Sequence, residues 1–306
     1  MSPTSTPTRG TSEQVTTVEA WKTAARVHTL PAAIVPVAVG AGLAIGDGVL
    51  RWDAFLLALI AALAIQVAAN FANDVSDAHR GADSSDRVGP PRMVALGQIS
   101  PRQMWAGVAV SVAIAAIAGV GLYLIAGPVV LVIGLTSLLA MLGYVGGPFP
   151  YGYRGLGEVS VFLFFGVVAT VGSRYVHDMA APLDAWLLSV PVGLLASALL
   201  VVNNLRDIDT DRDSGKRTLA VIIGRESTRR LYAGLVYGAY VSIAAFAAAG
   251  WTPIATLLAL ALVPVATGPV RLVRSNSDGP TLVRALVLNG RLLLWTGLAL
   301  AVGAAL

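Results

Sequence analysis

N-F-A-N-D-V-S-D-A-H-R-G-A-D, residues 70–83, and N-N-L-R-D-I-D-T-D-R-D-S-G-K, residues 203–216, each follow directly on a long apolar run. Charge inside a bilayer costs roughly 2.5–3.5 kcal/mol per residue on insertion scales, so carboxylates kept at such positions point to a function. The composition around them sets the fold class. Of 306 residues, 56% are hydrophobic and 12% charged, against about 25% charged in an ordinary soluble domain. Such a chain cannot cover a water-facing surface and reads as an all-α multi-span membrane protein. It has no cysteine, which excludes disulfides, thiolate metal sites and cysteine nucleophiles. His28, His79 and His177 lie far apart in sequence, which speaks against a histidine metal centre. The 21 basic and 17 acidic residues leave a net +4. That excess suits membrane topology and phosphate chemistry, not nucleic acid.

A helical span needs about 20 apolar residues. Nine runs qualify, at roughly 29–47, 52–74, 103–123, 126–146, 157–174, 184–206, 228–249, 252–272 and 282–304. Gly, Pro and charge punctuate the breaks, as in Gly46-Asp47-Gly48, Gly127-Pro128 and Asp278-Gly279-Pro280. Lys and Arg concentrate on the cytoplasmic side of membrane proteins. With the N-terminus inside, 18 of them fall in inside segments, Arg51 and Arg174 fall outside, and Arg291 lies within the last span. The expectation is nine transmembrane helices around a central cavity in the plasma membrane, with the N-terminus cytoplasmic. Both acidic clusters then lie at the cytoplasmic face, at the ends of spans 2 and 6. Residues 1–20 are Thr- and Ser-rich and read as a disordered tail, and residues 21–306 as one transmembrane domain.

Residues spaced i, i+3, i+4 and i+7 share a helix face. Asn70, Asp74 and Asp77 fit that spacing, with Asn73 beside them, and Asn203, Asp207 and Asp211 fit it as i, i+4 and i+8. Each helix end would present a column of oxygen ligands whose mutual repulsion a bound cation removes. Mg²⁺ takes hard oxygen ligands, commonly one or two carboxylates plus substrate phosphates. Two facing columns suit two or more Mg²⁺ ions holding one diphosphate, with Asp74, Asp77, Asp207 and Asp211 as the catalytic carboxylates. The plainer reading is two solvated helix caps. Arg80, Arg87 and Arg92 follow the first cluster, and Lys216 and Arg217 close the second. They suit a diphosphate clamp, though the positive-inside rule alone would also put basic residues there.

A third segment, G-G-P-F-P-Y-G-Y-R-G-L-G-E at residues 146–158, is aromatic and glycine-rich. Tyr151, Tyr153 and Arg154 could hold a flat anionic aromatic compound, or could be an interfacial tyrosine belt with a basic anchor.

The patterns N-D-x-x-D-x-x-x-G-x-D at Asn73 to Asp83 and D-x-x-x-D-x-x-x-G-K at Asp207 to Lys216, on nine spans, resemble the UbiA-type intramembrane aromatic prenyltransferases. The likeness runs from about Arg26 to the C-terminus. Three stretches are most similar to the 1,4-dihydroxy-2-naphthoate polyprenyltransferase branch of menaquinone synthesis: Arg26 to Pro31, Gly89 to Arg92, and Gly147 to Glu158. The resemblance implies Mg²⁺-dependent transfer of a polyprenyl group from polyprenyl diphosphate to 1,4-dihydroxy-2-naphthoate, with loss of CO₂. It assigns Asn70, Asp74, Asp77, Asp207 and Asp211 to the metal–diphosphate motifs and adds Arg26 to the acceptor side. Many members carry a further Asp where this chain has Gly81, with Asp83 two residues on, so the first motif departs from the common pattern.

Two other classes fit the acids less well. A divalent-cation transporter needs carboxylates near the midplane and a polar path across, whereas these sit at one face. A CDP-alcohol phosphotransferase would carry a D-G-x-x-A-R pattern, which is absent. A related prenyltransferase acting on 4-hydroxybenzoate or a tetrapyrrole differs only in its acceptor.

Overall fold

The computed structural model describes residues 16–79, 92–146 and 149–306. Arg80, Asp83 and Arg87 lie outside the described residues. Among those described, all regular structure is helical. In chain order the helices are α1 (Thr17–Ala25), α2 (Pro31–Gly46), α3 (Trp52–His79), α4 (Pro101–Ala126), α5 (Val129–Val145), α6 (Gly157–Asp178), α7 (Leu183–Arg206), α8 (Ile208–Asp213), α9 (Leu219–Ala248), α10 (Ile254–Ser275) and α11 (Gly279–Ala305).

Seven of these are long and apolar enough to cross a bilayer: α3, α4, α6, α7, α9, α10 and α11. An eighth crossing forms if α1 and α2, bent by 51° at their junction, act as one broken span. The 17-residue α5 is apolar but falls short of the usual length. The chain is therefore a multi-pass membrane protein.

Local chemistry explains where the helices start and stop. Thr16 and Glu19 form a reciprocal capping box at the start of α1. This helix takes in residues 17–20, which the sequence assigns to a disordered tail: a cap, an alanine-rich turn and a face on α3 are enough to order it. Arg26 ends α1 in the left-handed conformation at φ 50, and Pro31 opens α2 at a position where its missing N–H costs nothing. Ser100 and Gln103 form a second capping box ahead of α4. α6 contains a π-helical turn over Phe162–Val168, which widens the helix beside the cavity described below.

The most enclosed span is α7. It packs on α9 and α11, while α2 runs along α11 and α3 along α4. Small residues permit the closest approach. A Cβ on Gly42 would overlap the Ala301 carbonyl oxygen, and one on Gly303 would overlap that of Ala255. Backbones meet this closely where bulky side chains are absent, as expected for helices packed in lipid.

One end of the bundle is tied by charge. Arg174 on α6 is 2% exposed. Its guanidinium donates to Asp47 at 2.6 and 3.1 Å and to Asp178 at 2.6 and 3.1 Å. Nearby, the Arg51 backbone N–H donates to His177 Nδ1 at 3.1 Å. Breaking a buried pair costs about 3–5 kcal/mol, but the Asp47 side chain is 43% exposed, so water screens part of that loss. Arg174→Leu should lower stability by about 1–3 kcal/mol. A thermal melt of the detergent-solubilised protein checks this, and an unchanged midpoint would remove Arg174 from the account of stability.

Candidate active site

At the opposite end of α3 from that charge cluster, helices α2 to α7 enclose a cavity of about 660 Å³. Its chemistry is divided. One end carries Asn70, Asn73, Asp77, Asn203, Asp207 and Asp211, with Arg26, Arg92, Lys216, Tyr144, Tyr151 and Tyr153 around them. The rest is mostly alanine, glycine and aliphatic surface, with Phe164 and Phe165 and a few hydroxyl and amide side chains among it. Val120, Leu131 and Leu135 line that apolar part and are at least 47% exposed, so its rim lies open between α4 and α5.

Asp77 is the hub. It is 3% exposed. Lys216 Nζ approaches its Oδ1 at 2.6 Å and the Tyr153 hydroxyl donates to the same oxygen at 2.8 Å. Arg92 Nη2 pairs with the other oxygen. The same Lys216 ammonium lies 3.8 Å from Asp211. Residues 139 apart in sequence therefore converge, and the carboxylates of the two acidic clusters stand on either side of a single ammonium group. The Lys216 ammonium also lies 4.7 Å from the centre of the Tyr153 ring, a cation–π contact. Gly215, at φ 76, makes the turn that delivers Lys216, in a conformation that favours glycine.

Two expected columns are rearranged. On α3 the polar residues facing the cavity are Gln66, Asn70, Asn73 and Asp77. Asp74, at the edge of that face, is 1% exposed and does not line the cavity. Its oxygens accept instead from the Met93 and Val94 backbone N–H groups at 3.1 and 3.0 Å. It anchors the segment that carries Arg92. Asn70 also has a tethering job: its amide donates to the Ala25 carbonyl at 2.8 Å and the Thr29 hydroxyl at 3.0 Å, which brings Arg26 to the cavity. The second column is broken. α7 stops at Arg206, Asp207 is the junction residue, and Asp211 sits on the separate short helix α8. The Asp211 N–H still donates to the Asp207 carbonyl at 2.8 Å. Asp207 accepts from Arg206 at 2.7 and 2.6 Å, and Arg206 also donates to Asn203 at 3.0 Å.

In the third segment, Tyr151 and Tyr153 reach the cavity and Arg154 does not. Arg154 is exposed and stacks over Phe149 at 3.7 Å. Tyr151 stands edge-on to Tyr144 at 5.6 Å, donates to the Ala140 carbonyl and accepts from Ser160 at 3.1 Å. Burial pushes its phenol above the ordinary tyrosine range, so it stays protonated. Arg217 is exposed and outside the lining; only its backbone N–H takes part, donating to the Tyr153 carbonyl at 3.0 Å. Neither arginine is among the residues that line the cavity. Thr218, Tyr144, Asn204 and Gln66 line the cavity without having been expected there. The doubled Asn203-Asn204 was the available signal for one of them.

Among the described residues, no three Asp, Glu or His side chains converge closely enough to hold a metal unaided. The donors that do converge, Asp77 and Asp211 with amide oxygens beside them, are hard oxygen ligands. They fit Mg²⁺, which habitually completes its shell with water and substrate phosphate.

Comparison with known proteins places this geometry. A family model, the UbiA prenyltransferase family, matches residues 33–295. The 1,4-dihydroxy-2-naphthoate octaprenyltransferase of Mycobacterium tuberculosis is 40% identical over 289 residues, covering 94% of this chain and 96% of that protein. The protein of the same name from Mycobacterium leprae is 39% identical over 267 residues, covering 87% and 89%. In three dimensions, a UbiA homolog from Archaeoglobus fulgidus solved with DMAPP and Mg²⁺ superposes with a TM-score of 0.66, over 92% of this chain and 99% of that one, at 14% identity.

Proposed function

We propose, because the chain belongs to the UbiA prenyltransferase family, that it transfers a polyprenyl group from polyprenyl diphosphate to 1,4-dihydroxy-2-naphthoate. The products are demethylmenaquinol, the aromatic hydroquinone, with CO₂ and diphosphate. The observation that carries this reading is the divided cavity: two acidic clusters bridged by one lysine at the polar end, and an apolar chamber with an open rim at the other.

In this reading Asp77, Asp207 and Asp211, with Asn73 and Asn203, hold two or more Mg²⁺ ions with the diphosphate. Bound Mg²⁺ supplies charge neutralisation that makes the diphosphate a better leaving group. Lys216 and Arg92 bind phosphate oxygens, lysine as a point charge and arginine as a fork. Asp74 keeps Arg92 in place through the 93–94 backbone, and Asn70 keeps Arg26 in place through Ala25 and Thr29. The apolar chamber takes the allylic end of the prenyl chain and excludes water, which protects the carbocation formed as the C–O bond breaks. Tyr144, Tyr151 and Tyr153 provide aromatic surface for the naphthoate ring. Its electron-rich carbon forms the new C–C bond, and departure of CO₂ restores aromaticity.

Nine crossings follow if the 16-residue α2 and the 17-residue α5 each span the membrane. The Lys and Arg distribution then puts the N-terminus and the polar end of the cavity at the cytoplasmic face of the plasma membrane. Both numbers of residues are short for a full crossing, which a tilted or locally thinned bilayer accommodates.

Membranes containing the protein, given a polyprenyl diphosphate, should prenylate 1,4-dihydroxy-2-naphthoate and leave 4-hydroxybenzoate unchanged. A chelator should stop the reaction and added Mg²⁺ should restore it. Turnover of hydroxybenzoate alone would reassign the acceptor, and turnover in the presence of chelator would overturn the metal role.

A further inference from the structure

Glu158 is a buried acid for which the chemistry above has no use. It lies in the first turn of α6 and is 7% exposed, and no Lys or Arg among the described residues pairs with it. Its backbone carbonyl accepts from the Ser197 hydroxyl at 3.0 Å. Its Oε1 accepts from Asn204 Nδ2 at 2.9 Å, and its Oε2 is buried with no hydrogen-bond partner. A carboxyl group held this way is costly, so its hydrogen bond to Asn204 needs a reason.

Asn204 is 6% exposed and lines the cavity. An amide has a donating and an accepting end. A carboxylate oxygen only accepts, so Glu158 commits the Asn204 NH₂ group to itself and leaves Oδ1, which accepts no hydrogen bond among the described residues, as the uncommitted end of a side chain that lines the cavity. Next to it, the Tyr144 ring lines the cavity and its hydroxyl makes no hydrogen bond among the described residues. That hydroxyl is 3.3 Å from where a Cβ on Gly157 would lie, immediately beside Glu158. The polar end of the cavity therefore presents one uncommitted carbonyl oxygen and one uncommitted phenol next to aromatic surface.

We propose that Glu158 is a positioning residue for the aromatic acceptor: it locks the Asn204 amide so that Oδ1 accepts a hydrogen bond from a ring hydroxyl of that acceptor. The inference rests on the prenyltransferase reading and deepens it by naming what selects a hydroxylated ring. A site built to accept a hydroxyl proton rejects an analogue that lacks it, because the buried oxygen is then left without a partner.

The test uses the full-length protein in lipid nanodiscs, with steady-state kinetics for both substrates and for the two singly O-methylated acceptors. Glu158→Leu should raise the acceptor KM about tenfold or more, with kcat and the KM for polyprenyl diphosphate within about twofold of wild type. Glu158→Gln keeps an oxygen for the Asn204 amide and should return the acceptor KM to within about threefold. In the wild type, methylating the recognised hydroxyl should cost about as much as Glu158→Leu does. In Glu158→Leu that methylation should cost nothing further, as coupled changes in one contact do. Asn204→Ser carries the same prediction if Glu158→Leu does not accumulate. An equal rise in both KM values, a Gln variant as impaired as Leu, or fully additive penalties would overturn the proposal. A wild-type protein inactive with every hydroxylated aromatic would instead sink the prenyltransferase reading, and the two failures are told apart by that control.

Discussion

Asp77→Asn should lower turnover by about 100- to 1,000-fold, the largest catalytic effect expected of any single change in this chain. The carboxylate meets Lys216, Arg92 and the Tyr153 hydroxyl at once. An amide of the same shape carries no charge, offers one accepting oxygen in place of two, and turns a donor toward one of those cations. In the proposed reaction it also loses a hard anionic ligand at the moment when charge builds on the departing diphosphate. Asp209→Asn is the matched control. Asp209 belongs to the same acidic run, but its side chain is 71% exposed, lies outside the cavity and pairs with Arg225 at 2.8 Å. A surface pair of that kind is worth about 0–1 kcal/mol, so this variant should turn over like wild type. Initial rates at saturating substrate decide the matter, with melting points measured alongside. Asp77→Asn with more than a tenth of wild-type turnover would remove Asp77 from the catalytic group.

Gly42→Val should have the largest effect on folding. α2 and α11 are in contact along their length, and a Cβ at residue 42 would overlap the Ala301 carbonyl oxygen. The obstacle is main chain, which cannot rotate aside as a side chain can. The helices must separate, and overpacking of this kind costs about 1–3 kcal/mol or more. Gly119→Ala is the contrast, since nothing lies within 4 Å of the Cβ it would add. Size-exclusion profiles and yields after mild detergent extraction should show loss of the monodisperse peak for Gly42→Val only. A normal profile for that variant would mean that the α2–α11 joint is looser than its geometry implies.

Most apolar runs in the sequence match an observed helix to within about five residues, though α9 begins nine residues before its run and only seven of the helices are long enough by themselves to cross a bilayer. The pairing of the two acidic clusters was likewise legible, since two oxygen-rich helix ends have few reasons to exist apart. Finer geometry was not legible where position within a turn mattered. Asn70, Asp74 and Asp77 share a spacing, yet Asp74 points at the 93–94 backbone, a partner that arrives from a loop and leaves no periodic trace. The Asn203 to Asp211 column assumed one continuous helix, but the chain turns at Asp207 into α8. Arg154 and Arg217 sit in suggestive motifs and yet face outward. The Glu158–Asn204 contact joins residues 46 apart, a pairing that no local pattern announces.

The open rim between α4 and α5 has a thermodynamic consequence. Burying a methylene from water yields about 0.8 kcal/mol, but a tail sliding from acyl chains into an aliphatic groove exchanges one oily environment for another. Extra isoprene units then add almost nothing to affinity, and selectivity for the donor has to reside in its charged head. Product length would reflect which donors the cell manufactures, and the finished quinol could diffuse away sideways without ever being wetted.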